Sequence, residues 1–547
     1  MSFYSDASLV MIPSGYKTSK VYCAVPTDGA ADLAFTRSND TATRVGPDGL
    51  IEKVRTNLFP YSQDFSTATW SMEGTMTETF SQTDPNGGTT GVLVTGGTSG
   101  NGYYFHNITC VANVPNTFSI YIKGNASGSV SIRIDDSTTG PQFNINYTTS
   151  WQRFSVTSTP DQTGCAFVVG GYSTWDIGEN LSFAFAQAET GDIATDYIAT
   201  TSAAVSVGPV ANVPRLDYTD STCPRLLLEP QRTNLITYSE QFDNAAWVKD
   251  QITISANTTI SPDGYQNADT ATIVTSGSNL VTQVISVSAS TTYTFSFYVK
   301  RGTATDLRYS IYDVTNAANI VAPTAYYSQT SSSQWTRISF AFATPVGCIS
   351  IACYPIRSAT STGTAFLYGC QVEEGAYATS YVGPTLGAAV TRGVDVAEKT
   401  GISSLIGQTV GTVFVEFEFS GLKDSYWPVM TVMGATSAEI IEIYGSAGSN
   451  AVEVNMFDGG VTQFSRTRAL TVGRHKLAIA YELNNTVAYL DGTVMGGVDT
   501  LCTIPTMTQI ALGKFSYSSG YTYGDRINQT ILFPTRLSDS DLAALTA

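Results

Sequence analysis

TFSIYIKG at 117–124 and TYTFSFYVK at 292–300 read as one strand met twice. In each, bulky aromatic or β-branched residues alternate with smaller polar ones, the period of two that puts one set on a buried face. Around this strand the likeness widens. RTNLFPYSQDFSTATW (55–70) matches RTNLITYSEQFDNAAW (232–247), and Tyr121 and Lys123 match Tyr298 and Lys300, all 177 residues apart. Further on, Trp151 and Arg153 match Trp335 and Arg337, and QAETGDIATDYI (187–198) matches QVEEGAYATSYV (371–382), now 184 apart. A unit of about 150 residues therefore occurs twice, long enough for a complete domain rather than a solenoid repeat. Gly, Asn, Asp, Ser and Pro punctuate its strands, and no window sustains a helical apolar period. That pattern predicts two sheets closing over one core, with jelly-roll or Greek-key connections protecting the edges.

Composition narrows the function. The 547 residues carry 28 Lys plus Arg against 45 Asp plus Glu, a net charge of −17, and only 13% of residues are charged. An acidic chain without basic clusters lacks what phosphate backbones and anionic membranes attract, so no nucleic-acid partner is expected. Hydrophobic content of 42% marks a folded chain, yet no apolar run is long enough to insert in a membrane. The opening MSFYSDASLVMIPSGYK lacks the charged region, apolar core and cleavage site of a secretory signal. The 8 cysteines show no CxxC pairing, so neither a disulfide framework nor a zinc site is expected, and Cys348 and Cys353 in GCISIACYPI read as core.

The remaining stretches differ. In 390–547, GTVFVEFEFS (411–420) alternates cleanly and KLAIAYELNNTVAYLDG (476–492) reads as a strand meander turning at Asn484-Asn485. The ending predicts a strand and then a short helix with Ser538 as N-cap, Asp539 and Asp541 complementing its dipole. Residues 1–54 hold too few strands for a core and are expected to gain their fold from a partner. Residues 209–231 suit a semi-rigid spacer. The expected fold is all-β: an N-terminal attachment segment (1–54), a jelly-roll sandwich (55–208), a linker (209–231), a second jelly roll (232–389) and a third sandwich (390–547).

The constellation RTNL-x2-YS-x2-F-x4-W, YVK and Q-x-E-x-G-x-x-A-T-x-Y resembles carbohydrate-binding-module-like jelly rolls of bacteriophage virion proteins. FTRSNDTATRVGPDGLIE (35–52) resembles the segment that such fibre and decoration proteins carry before their first jelly roll. VTRGVDVAEKTGISSLIGQTVGT (390–412), YLDG and RLSDSDLAAL are similar to the concanavalin A-like, laminin-G-like domain of the same proteins. By domain order the chain resembles head-fibre proteins of crAss-like gut phages. The resemblance implies a capsid-attached, homotrimeric or otherwise homo-oligomeric protein of the virion surface, assembled in the host cytoplasm and binding capsid proteins and surface glycans. Tail-fibre receptor binding is the alternative it leaves, with glycan cleavage behind that. A structural calcium is compatible with such jelly rolls, and no other cofactor is implied.

No enzyme is expected from the residues. Only His106 and His475 could serve a triad, and they lie far apart in sequence. Glu416 and Glu418 share one strand face but lack the third acid of the E-x-D-x-x-E pattern of glucanases, so a solvated face is the reading. Glu189 and Glu373 of the shared Q-x-E-x-G motif are either calcium ligands or polar strand-end residues. Sugar binding needs aromatic faces at loops. Trp427, flanked by Tyr426 in KDSYWPVM, is the expected platform, and the tyrosine-rich GKFSYSSGYTYGD (513–525) offers a second surface. Trp70, Trp247, Trp151 and Trp335 recur between repeats and read as core.

Overall fold

A computed structural model describes residues 3–67, 69–96, 101–135, 142–172 and 180–547. The protein is all-β, and the single α-helix among the described residues, Asp539–Thr546, starts at Ser538, whose side chain accepts from the Asp541 amide. The chain divides into two compact units, residues 54–208 and residues 1–53 with 209–547.

Within 54–208, two five-stranded antiparallel sheets enclose Phe59, Trp70, Tyr104, Phe118 and Phe167. One sheet runs in the order Gln152–Ser158, Asn116–Gly124, Asn180–Thr190, Gly91–Thr95, Thr77–Gln82. The repeat's recurring polar residues form a hydrogen-bonded frame. Asn57 donates to the Ala186 and Ile198 carbonyls (3.1 and 2.8 Å), and its Oδ1 accepts from Phe59 and Ala188 (both 3.1 Å). Buried backbone must find partners, and this one side chain satisfies four groups where the first segment meets the closing strand. The expectation of unpaired cysteines fails here. The antiparallel register Thr109↔Gly164 brings the strand ends together, and Cys110 is bridged to Cys165 with their Cα atoms 6.1 Å apart. A separation of 55 residues hid that proximity.

The second roll repeats this plan inside the other unit, with Asn234 donating to Cys370 and Val382 (3.0 and 3.1 Å). Its core holds Phe242, Trp247, Phe295 and Phe297 together with Cys348 and Cys353.

The third sandwich corrects two expectations. Residues 1–54 do not stand apart, because Leu9–Met11 pairs with Asp525–Phe533 and Leu33–Thr36 pairs with Val396–Thr400. Nor is 209–231 a spacer, since Arg225–Leu228 pairs with Asp525–Phe533 along the same edge as Leu9–Met11, the opposite edge being taken by Val410–Phe419. The result is an eight-stranded sheet facing a nine-stranded one. The reason is burial: Leu9, Met11, Leu33, Phe35, Leu226 and Leu228 are all at 0% exposure in the core shared with Phe417, Trp427 and Ile443. Short apolar strands cannot remain isolated, and the open edges of a large sheet accept them.

An ionic cluster ties these segments. Asp395 accepts from Arg37 (3.0 Å) and Arg215, while Glu229 accepts from Arg215 (2.6 Å) and the Ser380 hydroxyl (2.6 Å) and is ion-paired with Arg392 (3.0 Å). The Arg37, Arg215, Arg392 and Asp395 side chains are at 0% exposure. Burial alone would raise the Glu229 carboxyl, but Arg392 and Arg215 outweigh it and hold the group well below the usual carboxylate range.

Asp395→Ala leaves two buried guanidinium groups short of a counter-charge and is expected to cost about 3–5 kcal/mol in urea denaturation. Glu229 should also make stability pH-dependent. A depressed carboxyl contributes fully above the unfolded value of about 4.3 and loses that contribution as pH falls through the folded one. Urea midpoints of the wild type should therefore drop steadily below about pH 5, and Glu229→Gln should start lower at neutral pH and fall less steeply.

Candidate functional site

The nine-stranded sheet has one face in the core. Ile441, Ile443, Val452, Val454 and Met456 point inward, so the residues between them face out. Those are Glu442 and Tyr444 on Ile440–Gly445 and Glu453 and Asn455 on Ala451–Asp458, set side by side by the registers Glu442↔Asn455 and Tyr444↔Glu453. Over this face folds the hairpin of Lys514–Phe515 and Ser518–Thr522, tied down where Thr431 and Ser516 share a hydroxyl hydrogen bond of 2.8 Å.

The outcome is a cluster of tyrosines around two carboxylates. Tyr426, Tyr517 and Tyr521 are exposed (41%, 49% and 37%). Tyr426 lies 5.4 Å from Tyr521 and 6.0 Å from Tyr444, centroid to centroid, and Phe515 beneath stacks on Tyr517 at 5.2 Å. The Tyr517 hydroxyl donates to Glu442 (3.1 Å), and the Tyr444 hydroxyl donates to Glu453 (2.9 Å) while accepting from Asn455 Nδ2 (3.0 Å). Ser446 gives Glu453 a second donor at 2.5 Å. Burial raises the Glu442 carboxyl, partly offset by the hydrogen bonds from Tyr517 and Asn455. Asn455 is nine-tenths buried, and its Oδ1 has no hydrogen-bond partner. Rings with open faces beside planar carboxylate and amide groups can stack on a pyranose and bond its hydroxyls.

The two aromatic surfaces singled out in the sequence thus meet, but Trp427 is not part of them. It is at 0% exposure, packed on Phe419 (5.2 Å) and Tyr523 (6.4 Å). Neighbours on a strand point to opposite faces, so Tyr426 faces out and Trp427 faces in. Gly445, its cross-strand partner, makes room: a Cβ there would sit 1.9 Å from the indole. Sequence reading missed Glu442, Tyr444, Glu453 and Asn455, although the alternation in IIEIYG and AVEVN carried the signal.

The other candidates fall elsewhere. Glu416 pairs with Arg474 (3.2 Å), and Glu418 with Arg225 and Arg526 (3.6 Å to the latter). His475 bonds Asp491 and the Thr471 carbonyl, both at 2.7 Å. His106 lies among Phe59 and Trp70, where burial lowers its pKa. Glu189 and Glu373 accept from the amides of Thr195 (2.8 Å) and Thr379 (2.9 Å) and from the hydroxyls of the same threonines, so the motif's glutamate pins its own threonine. Among the described residues no group of three or more His, Cys, Asp or Glu is arranged to hold a metal. Trp70 and Trp247 are core, but Trp151 and Trp335 are only half-buried, against the expectation that all four pack inside.

No protein-family model matches the chain, and no curated protein does. Among solved structures, a CBM40 of the Ruminococcus gnavus IT-sialidase is similar at 14% identity over 27% of this chain and 91% of its own, with a TM-score of 0.23. The CBM22 tandem of Paenibacillus barcinonensis Xyn10C is 12% identical over 58% of this chain and 97% of its own (TM-score 0.22). Domain 4 of the Geobacillus stearothermophilus arabinanase AbnA is 16% identical over 32% and 81% (TM-score 0.22). At TM-scores this low, none of these likenesses bears on what the chain does.

Gly445→Ala is expected to destabilise the third sandwich by about 1–3 kcal/mol through overpacking against Trp427, whereas Tyr426→Ala should stay within about 0.5 kcal/mol of wild type. Paired thermal melts would distinguish the buried ring from the exposed one.

Proposed function

We propose that the protein is a non-catalytic glycan-binding protein displayed on a bacteriophage particle, with the tyrosine cluster of the third sandwich as a glycan site. One observation carries the glycan reading: three exposed tyrosines converge on a sheet face whose carboxylates and amide are oriented by neighbouring hydroxyls. The rings supply stacking area at low entropic cost, while Glu442, Glu453 and Asn455 supply the directional bonds that select a hydroxyl pattern. The carboxylates already accept donors from tyrosine and serine, which suits holding sugar hydroxyls.

Virion display is supported by the resemblance of the duplicated RTNL and Q-x-E-x-G motifs to phage fibre and decoration proteins. Attachment through residues 1–54 is not part of this proposal, because their strands are already paired in the third sandwich. A single shallow sugar site binds weakly, so many copies per particle, as a homo-oligomer on capsid or tail, would raise the effective concentration.

A glycan array probed with the full chain tests the reading. Binding should be detected and should fall at least tenfold in Tyr426→Ala/Tyr517→Ala, with the melt unchanged and no new reducing ends released from bound glycans. Undiminished binding by that variant would move the site elsewhere, and released reducing ends would turn the Glu442 and Glu453 region into a hydrolytic centre.

A further inference from the structure

Aromatic rings at the surface of this chain are often covered by its own cations. Lys423 Nζ lies 4.2 Å over the Tyr377 ring, Lys123 4.8 Å over Trp151 and Lys300 5.2 Å over Trp335. The tyrosine cluster of the third sandwich departs from that pattern: among the described residues no lysine or arginine lies over Tyr426, Tyr444, Tyr517 or Tyr521. Its carboxylates depart from a second one. Buried Asp217, Glu229, Asp263 and Asp395 each have an arginine or lysine nitrogen within 3.0 Å. Asp84 and Asp313, buried without such a partner, accept backbone amides at 2.9 Å instead. Glu442, 6% exposed, and its neighbour Glu453 have neither: among the described residues they accept only from tyrosine, serine and asparagine side chains.

The surroundings do not supply the missing charge. Thr431 and Asn455 stand opposite Glu442 on the flanking strands, and Tyr444 and Thr467 stand opposite Glu453. Lys514, at the base of the hairpin, is held by Glu398 at 2.8 Å, and Lys423 by Ser420 (2.8 Å) and Asp525 (3.3 Å). Arg466 pairs across from inward-facing Val454 and donates to the Gly497 carbonyl (3.0 Å). The Glu442 carboxyl is raised first by burial and further by the like charge of Glu453. Beside them Asn455, nine-tenths buried, donates its Nδ2 to the Tyr444 hydroxyl (3.0 Å), which sets the amide within the cluster and leaves Oδ1 an acceptor without a donor. Glu453 and Tyr444 are partly exposed, so the cluster opens to solvent next to exposed Tyr426.

We propose that the tyrosine cluster selects a cationic glycan, one carrying a protonated amine on the sugar ring, with Glu453 as the direct partner of the ammonium, Glu442 and Asn455 behind it, and Tyr426 and Tyr444 as the rings that receive the charged end. An ammonium offers three N–H donors and no acceptor, which matches a cluster whose charged groups are acceptors alone. Tyrosine faces attract the same cation through their ring quadrupole. A neutral sugar would bond the carboxylates and leave their two charges unbalanced, and a uronate or sialate would be repelled by them. Calcium suits the cluster less well, because it takes six to eight oxygens and these carboxylates already accept hydroxyl donors. The inference rests on the glycan-binding reading above and narrows its ligand class.

The test titrates the full chain by calorimetry with two hexamers, β-1,4-linked glucosamine and β-1,4-linked N-acetylglucosamine, which share a backbone and differ in charge. At about pH 6 a sugar amine is protonated and ordinary carboxylates are ionised. The glucosamine hexamer should bind at least tenfold more tightly than the acetylated one, and the difference should shrink as salt is raised. Glu453→Gln, which keeps an acceptor for Tyr444 and Ser446, should weaken the glucosamine hexamer at least tenfold and remove the preference with the melt unchanged; Glu442→Gln, which removes the charge behind it, should weaken the preference as well. Tyr426→Ala/Tyr517→Ala should abolish binding of the glucosamine hexamer. Equal binding of the two hexamers, binding of neither, a preference that survives both glutamine variants, or binding that is lost in EDTA overturns the proposal. If array glycans bind in a manner that depends on Tyr426 and Tyr517 while the amine confers no advantage, this proposal falls and the tyrosine-cluster reading stands. If the preference for glucosamine persists in Tyr426→Ala/Tyr517→Ala, the cluster is not the site and both fall.

Discussion

Three arginines and two carboxylates shut away from water hold the larger unit together. Arg37 comes from the N-terminal stretch, Arg215 and Glu229 from the segment before the second roll, and Arg392 and Asp395 from the entry to the third sandwich. Each charge would be costly alone in that environment, and the set gives each one an opposite charge within reach. The arrangement is therefore cooperative: no one segment can leave without stranding charge that belongs to another. Ser380, from the end of the second roll, adds its hydroxyl and amide to Glu229 and brings that roll into the same account.

Residues distant in sequence also share sheets, drawn together by burial of their apolar side chains. Leu9–Met11 and Arg225–Leu228 pair with successive stretches of one edge of Asp525–Phe533, so the eight-stranded sheet is assembled from three parts of the chain. A domain built this way cannot be cut out as residues 390–547 without losing strands on both of its sheets. Lys53 follows the same logic on a smaller scale, joining the N-terminal stretch to Glu240 and Asp263 of the second roll.

The candidate site is made of what the sheets leave facing outward. In the third sandwich the outward row Glu442, Tyr444, Glu453 and Asn455 is gathered into a cluster because the tyrosine hairpin folds over it and Tyr426 stands at its rim. In the jelly rolls, one repeated frame carries different contacts: Lys53 bonds Glu240, Asp263 and Tyr368 in the second, whereas Phe185 stacks on Tyr197 in the first.

Alternation within TFSIYIKG and GTVFVEFEFS, the 177- and 184-residue echoes and the Ser538 cap were legible in the sequence, because strand period, repetition and capping are local properties. The recurring Asn57/Asn234 and Glu189/Glu373 were visible as well, though not as the hydrogen-bonded frame they form. Which ring of Tyr426-Trp427 meets water was not legible, since alternation fixes that they face opposite ways and not which face is covered. Recurrence of Trp151 and Trp335 suggested core for a similar reason: a repeated surface frame and a repeated core look alike without a partner sheet to choose between them. The pairing of Cys110 with Cys165, the capture of residues 9–36 by the third sandwich and the pairing of Lys53 with Glu240 and Asp263 were decided only in three dimensions. Each depends on the register and open edges of strands far apart in the chain, and no local pattern records which edge is free.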